Sequence, residues 1–473
     1  MPSSSSISSL GVGSGLDLSS LLDSLQSSEQ TRLQPLQSRL SSFNTQLSAY
    51  GRLTSSVNNL QSAADKLNDA SLFQSTQVST SGDAFTASSS KEAVPGSYSV
   101  SVTQLAQAQS LVAPAVADST AALGKGGTIT ITTGDNDPVD IEIGEDNASL
   151  EDVRDAINAA GTGVSASIIN DGSDTPYRLA LSSNAPGTDN QINISATNAA
   201  GGSGTQLSDV LGYDSAAGGG AMTETVAAQD AKLSVNGIDI TRSSNTVEDA
   251  IQGVTLSLTG TTEADSPQSL TTTRDNDTIK GALTKFISAY NSYRSTADNL
   301  TAYNADANSG VLLGDSTARS VASRIRESLN TSVEGGDLSM LSDIGISLQT
   351  DGSLKVDDEK LDAALDNDPR GVARLFSGDL ASDVEDDGVA GAVSSTIAAM
   401  TDDNGLLSAA SDGVQRSIDS VNDRMDQMQD SIDSEIERYR QQFVQLDSLM
   451  SDLNSTQSYL TTQLSQLNSS SSE

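Results

Sequence analysis

SIDSVNDRMDQMQDSIDSEIERYRQQFVQLDSLMSDLNSTQSYLTTQLSQL, residues 417–467, places an apolar residue at nearly every third or fourth position. The row runs Ile418, Val421, Met425, Met428, Ile432, Ile436, Tyr439, Phe443, Leu446, Met450, Leu453, Gln457, Leu460, Leu464, Leu467. Its steps alternate between three and four, except for two successive fours across Met428, Ile432 and Ile436. That interruption is a stutter, which locally unwinds a supercoil. A seam of this kind predicts one helix of about 50 residues, about 75 Å long at 1.5 Å per residue. A lone helix of that length leaves its seam in water and needs a partner.

The N-terminal end supplies one. Leu33, Leu36, Leu40, Phe43, Leu47, Tyr50, Leu53, Val57, Leu60, Ala64 and Leu67 form a second seam, irregular only from Tyr50 to Leu53, beside Gly51. Pro35 marks a kink or a new first turn. A third seam joins Ile279, Leu283, Phe286, Tyr290, Tyr293, Ala297 and Leu300. A bundle of three or four helices, drawn from distant parts of the chain, follows. The alternative is that each helix covers a separate sheet. The distal ends, 1–35 and 440–473, are rich in Ser and Gln with thin seams, and are expected to order only against a partner.

Between the helices the period changes to two. FTASSS (85–90) and SYSVSVTQL (97–105) read as strands with Pro95-Gly96 as a turn between them. AKLSVNGIDITR (231–242) reads as a hairpin about Asn236-Gly237, followed by the strand GVTLSLTG (253–260). Residues 112–225 separate these halves, so one β-rich domain is inserted in another, with Gly218-Gly219-Gly220 as a flexible return path. Inside the insertion, GTITITTG and DPVDIEIGED form a hairpin. SLEDVRDAINAAGTGVSASIIND (149–171) then gives a helix opened by a Ser149–Asp152 capping box, closed by Gly161 and Gly163, and followed by a strand. NTVEDAIQGVTLSL (245–258) echoes that unit in shorter form.

Composition narrows the function. The chain has 473 residues, a length suited to about three domains. It is 36% hydrophobic and 3% aromatic, without Trp, which suits several thin aliphatic cores. Its net charge of −38 repels nucleic acid and anionic lipid. No run approaches 18 apolar residues, so membrane insertion is not expected. With no Cys and no His, disulfides, zinc ligation by those residues, thiol nucleophiles and imidazole bases are all excluded. Residues 3–25 do not read as a secretory signal, because no basic residue precedes their leucines and no unbroken apolar run exists. Charge is uneven: 1–75 carry 4 basic and 5 acidic residues, 111–225 carry 3 and 16, and 441–473 carry none and 3. Ends that pack and a middle that meets water are expected.

No chemistry-bearing motif survives inspection. GVGSGL (11–16) ends in Leu where a dinucleotide loop needs its third Gly, and Gly124-Lys125 lacks the upstream Gly of a P-loop. No G-x-S-x-G elbow is present. GDNDPVDIEIGED (134–146) lacks calcium-loop spacing and is interrupted by Pro138. It reads as a solvated turn and strand face, with a weak cation site as the alternative. No catalytic, cofactor-binding or metal-ligating residue is assigned, and an enzyme is not expected.

SISSLGVGSGLDLSSLL (6–22), AKLSVNGIDITRSSNTVEDAIQGVTLSLTG (231–260) and SDIGISLQTDGSLKVDDEKLDAALDNDPRGVARLFSG (342–378) resemble the opening, mid-chain β block and C-terminal region of the flagellar filament cap family, FliD or hook-associated protein 2. SLEDVRDAINAAGTGVSASIIND resembles the "IN" module shared by flagellar hook and filament proteins, including flagellins. The 342–378 block is the more specific match. Taken alone, its Asp351-Gly352 gives a turn before a short strand. Asp357 or Asp358 caps a helix through Leu361, Ala364 and Leu365, and Asp368-Pro369 starts another that ends near Gly378.

The resemblance implies a multidomain α+β fold in which long terminal helices form a coiled coil or helix bundle, with two nested β-rich domains inserted between them. The expected division is terminal legs at 1–40 with 440–473, a helical bundle at 41–76 with 275–439, a β-rich domain at 77–111 with 226–274, and an inserted domain at 112–225. It also implies unfolded export through the flagellar type III apparatus with a cytoplasmic chaperone. A homo-oligomeric ring, a pentamer in this reading, then sits at the distal tip of the filament. There it retains flagellin and helps it fold, without ATP or any cofactor. The residues expected to meet a partner helix are Leu33, Leu36, Leu40, Phe43 and Leu47, with Tyr439, Phe443, Leu446, Met450, Leu453, Leu460, Leu464 and Leu467. A hook–filament junction protein or a flagellin variant is the alternative. A surface adhesin that binds a host glycoprotein is a further one.

Overall fold

Heptad spacing at the ends and alternation in the middle divide the chain into two units, residues 1–70 with 280–473 and residues 71–279. The structure is a computed structural model that describes residues 11–12, 14–304, 309–334, 336–378 and 388–470, with backbone alone at 466–470. In chain order the elements begin with α1 (Leu18–Gln30), α2 (Gln34–Asn68), β1 (Thr76–Thr80), β2 (Phe85–Ser89), β3 (Gly96–Gln104), β4 (Ser110–Val112), β5 (Gly127–Thr133) and β6 (Val139–Ile143). Next come α3 (Leu150–Ala160), β7 (Val164–Asn170), β8 (Tyr177–Ser183), β9 (Ile192–Asn198), α4 (Leu207–Val210) and β10 (Thr223–Val226). They are followed by β11 (Ala231–Val235), β12 (Ile238–Arg242), β13 (Thr246–Ile251), β14 (Val254–Leu258), β15 (Gln268–Arg274), α5 (Asn276–Thr301) and α6 (Ser316–Leu329). The chain closes with β16 (Ile346–Leu348), β17 (Leu354–Val356), α7 (Asp358–Asn367), α8 (Pro369–Ser377), α9 (Val389–Thr401) and α10 (Leu406–Ser470). This is the fold class expected from the sequence, with long helices toward the two ends of the chain and β-rich domains between them in sequence.

In the helical unit, α2 packs on α10 and α9, and α9 also packs on α6, α8 and α10. Leu53, Val57, Leu60, Ala64 and Leu67 of α2 are buried with Val393, Ile397 and Met400 of α9 and with Val414, Ile418 and Val421 of α10. Pro35 stands in the first turn of α2, directly after a short 3₁₀ turn at Thr31–Leu33, so the seam's start is a new first turn. Asp357 caps α7 and Asp368 caps α8, each accepting a backbone N–H in the first turn. The sequence reading missed α6 and α9. In α9 the buried Val389, Val393, Ile397 and Met400 step by four, four and three, a short row diluted by the surrounding Gly, Ala, Ser and Thr.

The β unit holds two cores. One lies between the antiparallel sheets β1-β15-β3-β11-β12 and β13-β14-β2, and is built on Phe85, Val100, Val102, Leu233, Leu256 and Leu270. The other lies between sheets β10-β4-β8-β7 and β6-β5-β9 and under α3, around Ile129, Ile131, Leu150, Val153, Ile157 and Leu181. The hairpin at Asn236-Gly237 pairs Val235 with Ile238, and both turn residues take positive φ, 51° and 78°. The Ser149–Asp152 capping box is present and α3 ends on left-handed Gly161.

Three local expectations are corrected. Both strands are present, but the turn between them lies at Lys91-Glu92 and Gly96 already opens β3; β2 pairs with β14 while β3 pairs with β15 and β11 in the other sheet. NTVEDAIQGVTLSL is a hairpin, not a second helix–strand unit. Val247 and Ile251 are four apart, a spacing that fits one face of a helix or of a strand; both are buried in β13, the register shifts between them, and Ile251 pairs with Val254. Gly218–Gly220 is a packed turn and not a loose path, since Gly219 bridges to Asp214 and a Cβ on Gly220 would lie 2.3 Å from the Gly212 carbonyl oxygen.

Candidate functional site

A heptad seam works by being covered, so the informative positions are those where it is not. The N-terminal segment runs antiparallel to α10. Ser14 donates its backbone N–H to Asp447 Oδ1 at 2.7 Å, and Arg32 approaches Glu435 at 3.9 Å. Helix α1 is capped by Asp17, whose carboxylate accepts from Ser20 N–H, and it buries Leu18 and Leu22. Composition marks residues 18–30 and 440–470 as weakly folded, yet both are helical here.

The candidate residues separate into three groups. Leu33 is buried, and Leu36, Leu40, Phe43 and Leu47 are half-buried. Tyr439, Phe443 and Met450 are half-buried as well. Leu446, Leu453, Leu460 and Leu464 are exposed, the last three at 54%, 53% and 62%. The Leu467 side chain lies outside the described residues. From Asp452 to Ser465 every residue except Gln463 is exposed. The segment from Ser451 to Ser465 is therefore about 22 Å of helix with an uncovered apolar seam.

The same side of the question brings in residues that spacing alone did not. Val444, Leu449 and Tyr459 are exposed large apolar groups on this stretch. On the N-terminal side, Leu18 and Leu22 were missed, although Asp17 followed by LSSLLDSL is a legible cap and apolar face.

Electrostatically the stretch is plain. The last basic side chain is Arg440, which together with Gln441 holds the Glu437 carboxyl below its usual range through hydrogen bonds at 2.8 Å and 3.3 Å. Beyond it, only Asp447 and Asp452 carry charge among the described residues. The face offers no nucleophile, base or ligand set. An exposed apolar row of this kind suits contact with another amphipathic helix. Among the described residues, no group of three or more acidic side chains is placed to hold a metal ion, and no helix is long and apolar enough to cross a membrane.

Three family models match the chain. Residues 14–109 match "Flagellar hook-associated protein 2 N-terminus", residues 228–455 match "Flagellar hook-associated protein 2 C-terminus", and residues 128–185 match "Flagellin hook IN motif". The chain is 40% identical over 386 residues to flagellar hook-associated protein 2 of Escherichia coli K12, covering 79% of this chain and 81% of that one. It is 37% identical over 389 residues to the Salmonella typhimurium protein of the same name, with the same coverage of 79% and 81%. The crystal structure of the D1-D2-D3 domains of the E. coli flagellar cap protein FliD superposes with a TM-score of 0.69 at 38% identity, covering 78% of this chain and 99% of that one.

Proposed function

The chain belongs to the flagellar hook-associated protein 2 family, and from that premise we propose that it caps the distal tip of the bacterial flagellar filament and engages flagellin through the uncovered seam of α10. The observation that carries this reading is the exposure of Leu446, Leu453, Leu460 and Leu464 along one helix. An apolar stripe of that length in water is costly unless something covers it for part of the protein's working life. Flagellin's own terminal helices are the proposed cover. Contact through a few leucines, with no charged pairs to break, can form and release as the filament grows.

In this reading the protein is secreted through the type III apparatus with a cytoplasmic chaperone and acts as a homo-oligomeric ring, a pentamer. It retains arriving flagellin and promotes its folding without ATP. The residues assigned to the partner contact are the seam positions from Leu33 to Leu47 and from Tyr439 to Leu467. The proposed division of labour puts terminal legs at 1–40 with 440–473 against flagellin, and the β-rich domains in the ring's plate.

The test is Leu446→Asp with Leu453→Asp. Both side chains are already exposed, at 39% and 54%, so the fold should be kept. The variant is expected to be secreted and to melt like the parent, while filament growth stops and flagellin escapes to the medium. Normal filaments from that strain overturn the reading.

A further inference from the structure

The inserted domain joins its host through two adjacent chain passages, Leu105–Gln109 going out and Val226–Asp230 coming back. They form a two-stranded ribbon. Gln107 and Gln229 exchange backbone hydrogen bonds at 2.8 Å and 3.2 Å, and the Gln229 side chain donates to the Gln107 side-chain oxygen at 2.8 Å. A ribbon of two strands resists stretching but bends and twists about its own axis, so by itself it is a hinge.

A third attachment lies off that axis. The β8–β9 connection of the inserted domain folds back along the ribbon to its host end and onto the host's β12–β13 turn. Thr188 donates its backbone N–H to Asp230 Oδ1 at 2.6 Å and its hydroxyl to Asp230 Oδ2 at 2.8 Å. Gly187 donates its N–H to the Gln107 carbonyl at 3.1 Å. Gly187 has φ of +92°, and a Cβ there would fall 2.2 Å from the carbonyl oxygen of Ser243, in the host's β12–β13 turn. The loop is thus pressed against host backbone, and glycine permits the approach. On the host side Asn245 pins the outgoing passage: Ala106 N–H donates to Asn245 Oδ1 at 2.7 Å, and Asn245 Nδ2 donates to the Ala106 carbonyl at 2.9 Å.

We propose that Gly187, Thr188 and Asp230 form a strut that fixes the angle of the inserted domain, with Thr188 and Asp230 as positioning residues. Two strands and one off-axis bracket leave no free rotation between the bodies. Any partner surface that spans both β cores is then formed in advance, and binding carries no cost for ordering the joint. The joint is set in this way whichever partner the protein meets.

The chain lacks cysteine, so single pairs can be introduced cleanly. Thr175→Cys on the inserted domain and Asp239→Cys on the host are both at exposed positions outside the strut. Nitroxide labels on that pair, in the full chain, should give one narrow distance distribution by double electron–electron resonance. Asp230→Ala should broaden it at least about twofold with an unchanged far-ultraviolet circular dichroism spectrum. Asp230→Asn, whose Oδ1 still accepts from the Thr188 N–H and whose Nδ2 can donate to the Thr188 hydroxyl, should stay near the parent width. Thr188→Val, which removes only the hydroxyl bond, should broaden in the same direction and stands in if Asp230→Ala perturbs folding. A parent distribution already as broad as that of Asp230→Ala, or no broadening in either variant, overturns the proposal.

Discussion

The Tyr50 hydroxyl donates to Asp315 Oδ2 at 2.7 Å, and the other oxygen of that carboxylate accepts from the Ala318 N–H at 2.8 Å, capping α6. One carboxylate therefore ties α2 to the start of α6. Tyr50 is also where the N-terminal seam is irregular, and the extra step places the phenol on this bond. Burial first, and the Asp315 carboxylate second, push the Tyr50 phenol up to about 12. An unfolded tyrosine titrates near 10. The folded state thus holds the proton more tightly, so this stabilisation is whole below pH 10 and is lost as pH rises toward about 12. Tyr50→Phe should cost about 1 kcal/mol at neutral pH. Its urea midpoint should also fall less steeply than the parent's between pH 10 and pH 12. Parallel alkaline profiles would contradict this.

Asn291 acts as a strand. Its Nδ2 donates to the Leu354 carbonyl at 2.9 Å and its Oδ1 accepts from the Leu354 N–H at 2.8 Å, closing the free edge of β17 against α5. Asn291→Ala leaves both backbone groups without that partner, and about 1–3 kcal/mol of stability should be lost. Urea denaturation followed by circular dichroism measures it. Asn158 does the same for Ala166 at the edge of β7, with bonds of 2.9 Å and 2.8 Å. Asn158→Ala should show a loss of similar size.

Asp171 accepts from Ser173 N–H at 3.0 Å and from Arg178 Nε at 2.8 Å. The Ser173 hydroxyl first, then the Arg178 guanidinium, hold its carboxyl at about 2. Its stabilisation is present above the unfolded value near 4 and is lost as pH falls through about 2. Parent and Asp171→Asn should therefore differ at pH 6 and converge in strong acid. A difference independent of pH would contradict the assignment.

Self-association should depend on salt. Each copy carries a net charge of −38, and only 25 of its 473 residues are basic. Copies brought together repel one another until ions screen them, over a Debye length that falls from about 30 Å at 0.01 M to about 3 Å at 1 M. Sedimentation velocity should show a larger share of oligomer at about 0.5 M salt than at about 0.01 M. Dissociation on adding salt would mean that ion pairs, not apolar contacts, join the copies.

Legibility followed periodicity. The seams of α2, α5 and α10 and the alternation of β3, β5, β7 and β8 stood out because each element buries one face. Helix α9 was missed because its short row, Val389, Val393, Ile397 and Met400, is diluted by Gly, Ala, Ser and Thr, and TVEDAI misled because a four-residue step fits one face of a helix or of a strand. At the candidate site, the row of leucines was legible but its state was not. Sequence spacing treats Leu33 and Leu464 alike, and only the packing of residues 14–68 along α10 buries one and leaves the other exposed. The Thr188–Asp230 strut joins residues 42 positions apart through two polar side chains, and no sequence period announces that.

The most direct test of the cap assignment is immunogold electron microscopy of flagella from the source bacterium with antibody raised against residues 112–225. The account predicts label confined to the distal tips of filaments. Label at the hook–filament joint or along the shaft would contradict it and would make the protein a junction protein or a flagellin variant.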